Sequence, residues 1–324
     1  KTVRRIVRML PAYDHMGHGR ADGFAGNILL EAVRRSLTEE LPEWTGERAR
    51  HTLGDDCFLG DASIGLPMVW IGHGPDGYHH NSEQNEESLD MDGNVGHLAM
   101  CGAWVRAMAA LTQEELDALL PAALAREQEE LDAARGAPEE RCRYLYERAR
   151  GRLKGLRAWG DVPETLTEGL TPPECAAASD APARPWFDYA DGFVFRRLTR
   201  GFPHDLTRLP FHERGDMPGS ILYAALADVV SRMDGVKTLR TLVAETEWDS
   251  GRQMDERTVR RYLHTCIMLA EAGYFGMTVR DPLTAERLSA ALRTLGVREG
   301  DTLLVHSSLS GLGYIEGGAE AMLR

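Results

Sequence analysis

The chain has 324 residues, with 37 Lys+Arg against 50 Asp+Glu and a formal net charge of −13 at pH 7. That acidic surplus argues against a protein built around nucleic-acid phosphates. Hydrophobic residues at 43% and charged residues at 27% suit a folded globular chain of several domains, and the most apolar runs, 64–72 and 220–230, are far shorter than the roughly 18 apolar residues of a membrane helix.

Residues 26–39 place Ile28, Leu29, Val33 and Leu37 at helical spacing. The apolar run Ile64-Gly-Leu-Pro-Met-Val-Trp-Ile71, bounded by Gly60 and by glycines from Gly72 to Gly77, reads as a buried strand. Val95 to Leu111 reads as a second, Ala-rich helix, so the order helix, strand, loop, helix predicts an α/β layer over 1–111. From Thr112 to about 160 the chain is rich in Ala, Leu, Glu and Arg, with interruptions at Pro121 and at Gly136-Ala-Pro138, which predicts a helical hairpin. Thr112 followed by Glu115 has the spacing of a capping box. The five prolines of 161–185 predict a linker.

A different unit is expected over 186–281. Its helices are placed at Ser220–Val230, at Thr238–Val243 and at Asp255–Ala272, with a turn at Met233-Asp-Gly235 and an apolar tail after Gly273. Three helices and such a tail resemble a winged-helix domain. Arg196, Arg197, Arg200, Arg260 and Arg261 could suggest DNA contact, but the same helix carries Asp255, Glu256 and Glu271 and no basic stripe is present. The expected role is therefore packing or contact in a homodimer, with no nucleic acid and no membrane as partners. Residues 282–324 begin again, with a helix over 284–295, a turn at Gly296-Val-Arg-Glu-Gly300, a buried strand over 301–305 and a polar, glycine-rich loop. That β-loop-α order is where α/β proteins put ligands.

Two stretches carry candidate chemistry. The first, from Gly54 to Asp92, combines Asp55, Asp56, Cys57, His79, His80 and several further carboxylates around the strand. Imidazole and carboxylate groups at strand ends are the donors zinc takes. Asp61-Ala-Ser-Ile-Gly-Leu-Pro-Met-Val-Trp-Ile71, followed by Pro75-Asp-Gly-Tyr-His-His-Asn-Ser82, resembles the C-terminal part of zinc-dependent aminopeptidases related to glutamate carboxypeptidase. The resemblance implies that His80 is the last metal ligand and that His79 stands at the position supporting the tetrahedral oxyanion. Asp56 and Asp14 are the carboxylates nearest the family's other ligand positions. It further implies two zinc ions in a complete parent domain and a small peptide substrate. Cys57 stands where the family has His, and Gln84 where it has Asp. Both departures bear on catalysis more than on fold.

The second stretch is Leu295-Gly-Val-Arg-Glu-Gly-Asp-Thr-Leu-Leu-Val-His-Ser-Ser-Leu-Ser-Gly-Leu-Gly-Tyr-Ile-Glu-Gly-Gly-Ala-Glu320, which resembles the opening of the aminoglycoside 3-N-acetyltransferase family. The resemblance implies an acetyl-CoA site at His306, Ser307, Ser308, Ser310, Gly317 and Gly318, and an amine acceptor. Hydroxyls and backbone donors at a strand end, with glycines opening a helix, are suited to phosphate groups.

The five cysteines, Cys57, Cys101, Cys142, Cys175 and Cys266, are scattered and odd in number. With no signal peptide expected, they suggest a reducing, cytoplasmic setting and no cysteine-ligated metal. Lys1 is not an initiator Met, and Arg324 falls inside a starting helix, so a fragment of a longer fused enzyme is expected: a zinc-aminopeptidase-like hydrolase followed by an acetyl-CoA-dependent N-acetyltransferase. Two alternatives stand beside it, one in which the peptidase part is a scaffold and only acetyl transfer is catalysed, the other a non-catalytic interaction protein.

Overall fold

In the computed structural model the described residues are 9–10, 72–73, 85–86, 91–176, 182–201, 203, 206–214, 224–302 and 314–323. They form a mixed assembly of helices with a small antiparallel sheet, compatible with the α/β expectation. Of the expected N-terminal α/β layer, β1 (Met9–Leu10) and β2 (Gly72–His73) are described. They pair antiparallel, with Met9 opposite His73 and Leu10 opposite Gly72. The expected helix 26–39 and strand 64–71 lie outside the described residues.

Helix α1 (Met91–Ala110) leads into the hairpin of α2 (Gln113–Ala133) and α3 (Glu139–Gly155). The start of α2 is set locally. The Thr112 side chain accepts from the Glu115 amide at 3.2 Å, and the Glu115 carboxylate accepts from the Thr112 amide at 2.8 Å. The Thr112 amide, with the Thr112 hydroxyl donating at 3.0 Å, holds the Glu115 carboxyl below the usual carboxylate range. Thr112→Ala removes one half of the reciprocal pair and should cost about 1 kcal/mol in urea unfolding; no change in midpoint would show that the cap is redundant.

Pro121 does not interrupt the helix as the sequence suggests. It sits on the exposed side of α2, while Leu116, Leu120, Ala123 and Leu131 carry a buried stripe past it on both sides. An interior proline costs about 3 kcal/mol in a helix without tertiary support; here the stripe packs on Leu145, Ala149 and Leu153 of α3 and offsets that cost.

The stretch expected as a linker is in part packed structure. Residues Glu164–Gly169 form a 3-10 turn, Val162 and Leu166 pack on the hairpin core, and Leu170 is buried within it. Gln113 and Gln128 of α2 hold this return segment by bonds to the backbone of Asp161 and Thr171, at 2.8–2.9 Å where each amide pairs best. Proline content therefore marks a segment without regular structure, but not one without partners.

After the short helix α4 (Pro185–Tyr189) comes the three-stranded sheet, ordered β4-β3-β5. Strand β3 (Phe193–Arg197) is central, between β4 (Asp234–Thr238) and β5 (Phe275–Val279), and is antiparallel to both. Phe193, Val194 and Phe195 are all buried, as a strand covered on both faces requires. Strand β4 replaces the expected end of the turn at Met233-Asp-Gly235, because pairing to β3 outweighs the poor strand preference of Asp and Gly. Gly235 adopts φ +80°, and a Cβ there would lie 3.1 Å from that of Arg196 across a register irregularity, so this crossing takes glycine alone without strain.

Helices α5 (Ala224–Ser231), α6 (Leu239–Ser250) and α7 (Glu256–Glu271) cover the sheet. Their shared core includes Phe187, Phe195, Val229, Leu242, Leu263 and Leu269. The N-cap of α7 is Asp255, whose side chain accepts from the Thr258 amide at 2.7 Å. Helix α6 extends seven residues past the expected Val243, since the polar letters Glu245 and Thr246 are buried rather than in a loop. Helix α8 (Ala285–Thr294) and the short α9 (Gly318–Leu323) complete the described chain. Among the described residues no helix is long and apolar enough to cross a membrane.

Candidate functional site

The C-terminal glycine turn is tethered to the sheet unit through backbone pairing. Thr284 caps α8 by accepting from the Arg287 amide at 3.3 Å. The preceding Leu283 bridges Ile315 in parallel: its amide donates to the Tyr314 carbonyl at 3.2 Å, and its carbonyl accepts from the Glu316 amide at 3.0 Å. Tyr314 packs edge-on against Phe193, ring centroids 6.0 Å apart, and its amide donates to the Tyr189 hydroxyl. These contacts place Gly317 and Gly318 beside the start of α8.

Both glycines have positive φ, +81° and +60°. The Gly318 amide donates to the Ile315 carbonyl at 2.9 Å, closing the turn, and α9 starts there. A Cβ on Gly317 would crowd that of Ala321 at 3.1 Å, whereas one on Gly318 would meet nothing within 4 Å. The turn is solvent-exposed, so a bulky ligand group can approach its backbone closely. Helix α8 buries none of its residues, and Leu295, just past its end, is 81% exposed.

Of the residues the sequence singles out, the structure therefore places Gly317 and Gly318 together. His306, Ser307, Ser308 and Ser310 lie outside the described residues, as do His79, His80, Asp56 and Asp14. Among the described residues no group of three or more His, Cys, Asp or Glu is placed to hold a metal ion.

A second constellation was not legible in the sequence. Where α3 meets α5 and α6, Asp249 receives the Arg232 guanidinium at 2.6 Å, the Arg148 guanidinium and the Tyr144 hydroxyl. The Tyr144 hydroxyl also accepts from Arg232 at 2.9 Å. Arg148 reaches on to Glu130 of α2 at 2.7 Å, and Glu130 meets Arg152 at 3.1 Å. The Asp249 side chain is 0% exposed and that of Arg232 1%. A helical wheel of α3 places Arg148 and Arg152 next to the apolar Leu145 and Ala149, which is the one sequence sign that these arginines turn inward.

The electrostatics fix the charges of this cluster. Burial alone would raise the Asp249 carboxyl, but Arg148, Arg232 and the Tyr144 hydroxyl outweigh it and hold it below the usual carboxylate range. Burial pushes the Tyr144 hydroxyl above its ordinary value, so it stays a donor at neutral pH. Asp228 differs: burial drives its carboxyl up to about 7, with Asp249 adding to the rise and Arg232 opposing it.

Beside the cluster is a cavity of about 380 Å³, walled by Tyr144, Arg148 and Gly151 of α3, Lys237 of β4, and Arg240, Ala244 and Trp248 of α6. Lys237 is engaged by Glu245 at 2.7 Å and Arg240 by Glu140 at 3.5 Å. With Arg148 also paired, most of the wall's cations are already committed. The arrangement suits a clamp between the hairpin and the sheet unit better than a site of acid–base chemistry.

Comparison with known proteins bears on the C-terminal segment. The SPbeta prophage-derived aminoglycoside N(3')-acetyltransferase-like protein of Bacillus subtilis (strain 168) is 44% identical over 43 residues, 13% of this chain. The match covers 16% of that relative's own length. No family model matches the chain, and no solved structure matches it. The chain is thus similar, over a short part of its length, to an acetyltransferase-like protein.

Proposed function

We propose that residues 282–324 open an acetyl-CoA-dependent N-acetyltransferase domain acting on an amine of the aminoglycoside class. The observation that carries the reading is the 43-residue likeness to an aminoglycoside acetyltransferase-like protein. The exposed, doubly positive-φ turn at Gly317-Gly318 supports it. Acetyl-CoA supplies an activated acetyl group for transfer to the amine. In this reading the chain's own residues bind and orient: the Gly317-Gly318 backbone approaches the phosphates of the coenzyme, and His306, Ser307, Ser308 and Ser310 add donors from the preceding loop.

Open space in front of Gly318 is what such a role requires, and among the described residues nothing comes within 4 Å of a Cβ placed there. Gly318→Val would put a β-branched side chain at φ +60°, a conformation valine avoids. Calorimetric titration of acetyl-CoA into the full-length protein should show at least about tenfold weaker binding for Gly318→Val, equal to about 1.4 kcal/mol, with the unfolding midpoint of the sheet unit unchanged. An unaltered affinity would overturn the coenzyme role of the turn, and no binding by the wild type would overturn the acetyltransferase reading itself.

A further inference from the structure

Cys142 lies in the first turn of α3, and Cys175 in the segment that returns along the hairpin. Three backbone contacts fasten that segment to the α2–α3 corner. Pro138 and Ala176 form a parallel bridge, the Gly136 amide donates to the Glu174 carbonyl at 2.8 Å, and the Ala176 amide donates to the Ala137 carbonyl at 2.9 Å. The same Ala137 carbonyl accepts from the Cys142 thiol at 3.4 Å. One oxygen therefore brings the Cys142 sulfur beside the Cys175–Ala176 peptide. Both are free; Cys142 is 2% exposed and Cys175 is exposed.

This is an unusual pairing for two cysteines read as scattered. Nothing in the hairpin core needs a thiol at position 175, where the side chain faces solvent and bonds only weakly to the Pro173 carbonyl at 3.5 Å. The corner itself is rigid, because α3 starts at Glu139 and the bridge fixes residue 176 beside residue 138. Two sulfurs held in register by backbone pairing, one open to reagents and one shielded, have the layout of an attacking and a resolving thiol.

We propose that Cys142 and Cys175 are a modification site, a dithiol that closes to an intramolecular disulfide by exchange with a small disulfide of the glutathione type. The Cys175 thiolate attacks one sulfur of glutathione disulfide, forming a Cys175–glutathione bond and releasing one glutathione thiolate, which takes up the proton Cys175 gave up. The Cys142 sulfur then attacks the Cys175 sulfur. The second glutathione leaves and takes the Cys142 proton. Two protein thiols and one glutathione disulfide thus become one protein disulfide and two glutathione thiols, with the protein oxidised by two electrons and the glutathione disulfide reduced by two. Burial, with the Cys175 thiol beside it, pushes Cys142 up to about 11, so the shielded thiol does not react first. The product staples the return segment to the start of α3 and closes the chain between residues 142 and 175, the constraint by which disulfides stabilise a fold.

The reduced full chain should be incubated with glutathione disulfide and mapped by peptide mass spectrometry without reduction. The expected result is a linked Cys142–Cys175 peptide and, in denaturant, a fall from five titratable thiols to three. Cys142→Ser should trap a stable glutathione adduct on Cys175, and Cys175→Ser should leave Cys142 as a thiol. A wild type that accumulates the Cys175 adduct with Cys142 still reduced would overturn the proposal, as would no reaction at either residue or a disulfide to a different cysteine. The wild-type measurement decides the matter even if a variant folds poorly.

Discussion

Asp249→Ala should lower the unfolding free energy by about 3–5 kcal/mol, the cost of removing one partner from a buried ion pair. The Asp249 carboxylate is fully enclosed and serves two guanidiniums and a phenol at once. Deleting it leaves Arg148 with Glu130 but strips Arg232 of its 2.6 Å carboxylate partner, leaving Glu245 at 3.9 Å among the described carboxylates. The remaining positive charges then face each other in a medium that screens poorly. Because Arg148 and Tyr144 come from α3 while Arg232 and Asp249 come from the sheet unit, the loss falls on the joint between the two. Urea unfolding followed by Trp248 fluorescence, at the joint, and by overall helicity should show the joint melting first in the variant. A destabilisation under about 1 kcal/mol would mean that the cluster is balanced by its own desolvation, as many buried pairs are.

The second large effect is a dependence on pH. Asp228 has an unfolded-state value of about 3.9 and a folded value of about 7, set by burial, with Arg232 of its own turn lowering it and Asp249 of α6 raising it. Between these values the native state keeps a proton that the unfolded chain gives up. Stability from this group therefore falls as pH rises from about 4 to about 7 and is flat beyond. Asp228→Asn removes the titration, so the variant should gain on the wild type by on the order of 2–4 kcal/mol between pH 4 and pH 8. Chemical denaturation of both proteins across that range is the measurement. A difference that stays constant with pH would show that Asp228 ionises in the fold as freely as in the unfolded chain.

The two groups act in opposite directions, which keeps the tests separable. Asp249 has its value lowered, so its contribution is present above the unfolded value and is lost only in acid, as pH falls through the folded value. Asp228 loses stability on the neutral side. A wild-type profile with a shallow optimum in the mildly acidic range is the combined expectation.

Local chemistry was readable in the letters alone. The caps at Thr112, Asp255 and Thr284 each satisfy an amide within three residues, so no distant partner is needed to place them. The inner face of α7 is marked in the sequence by the spacing of Val259, Leu263, Ile267 and Leu269; Val259, Leu263 and Leu269 are buried, and Ile267 is half-buried against the same core. The glycine pair opening the last helix was likewise visible, since positive φ belongs to the residue itself.

What the sequence by itself determined is thus the set of interactions that close over a few residues, together with the short C-terminal likeness carried by a contiguous string. The tertiary structure decided the rest. The sheet joins β3 to β4 and β5 over about 40 and 80 residues, and a strand of Asp-Gly-Val-Lys-Thr exists only because β3 lies beside it. Arg148, Arg232 and Asp249 read as surface charges until three helices enclose them. Cys142 and Cys175 become a pair only when the return segment folds onto the hairpin. Burial is a property of what surrounds a residue, and for these residues the surroundings come from remote parts of the chain.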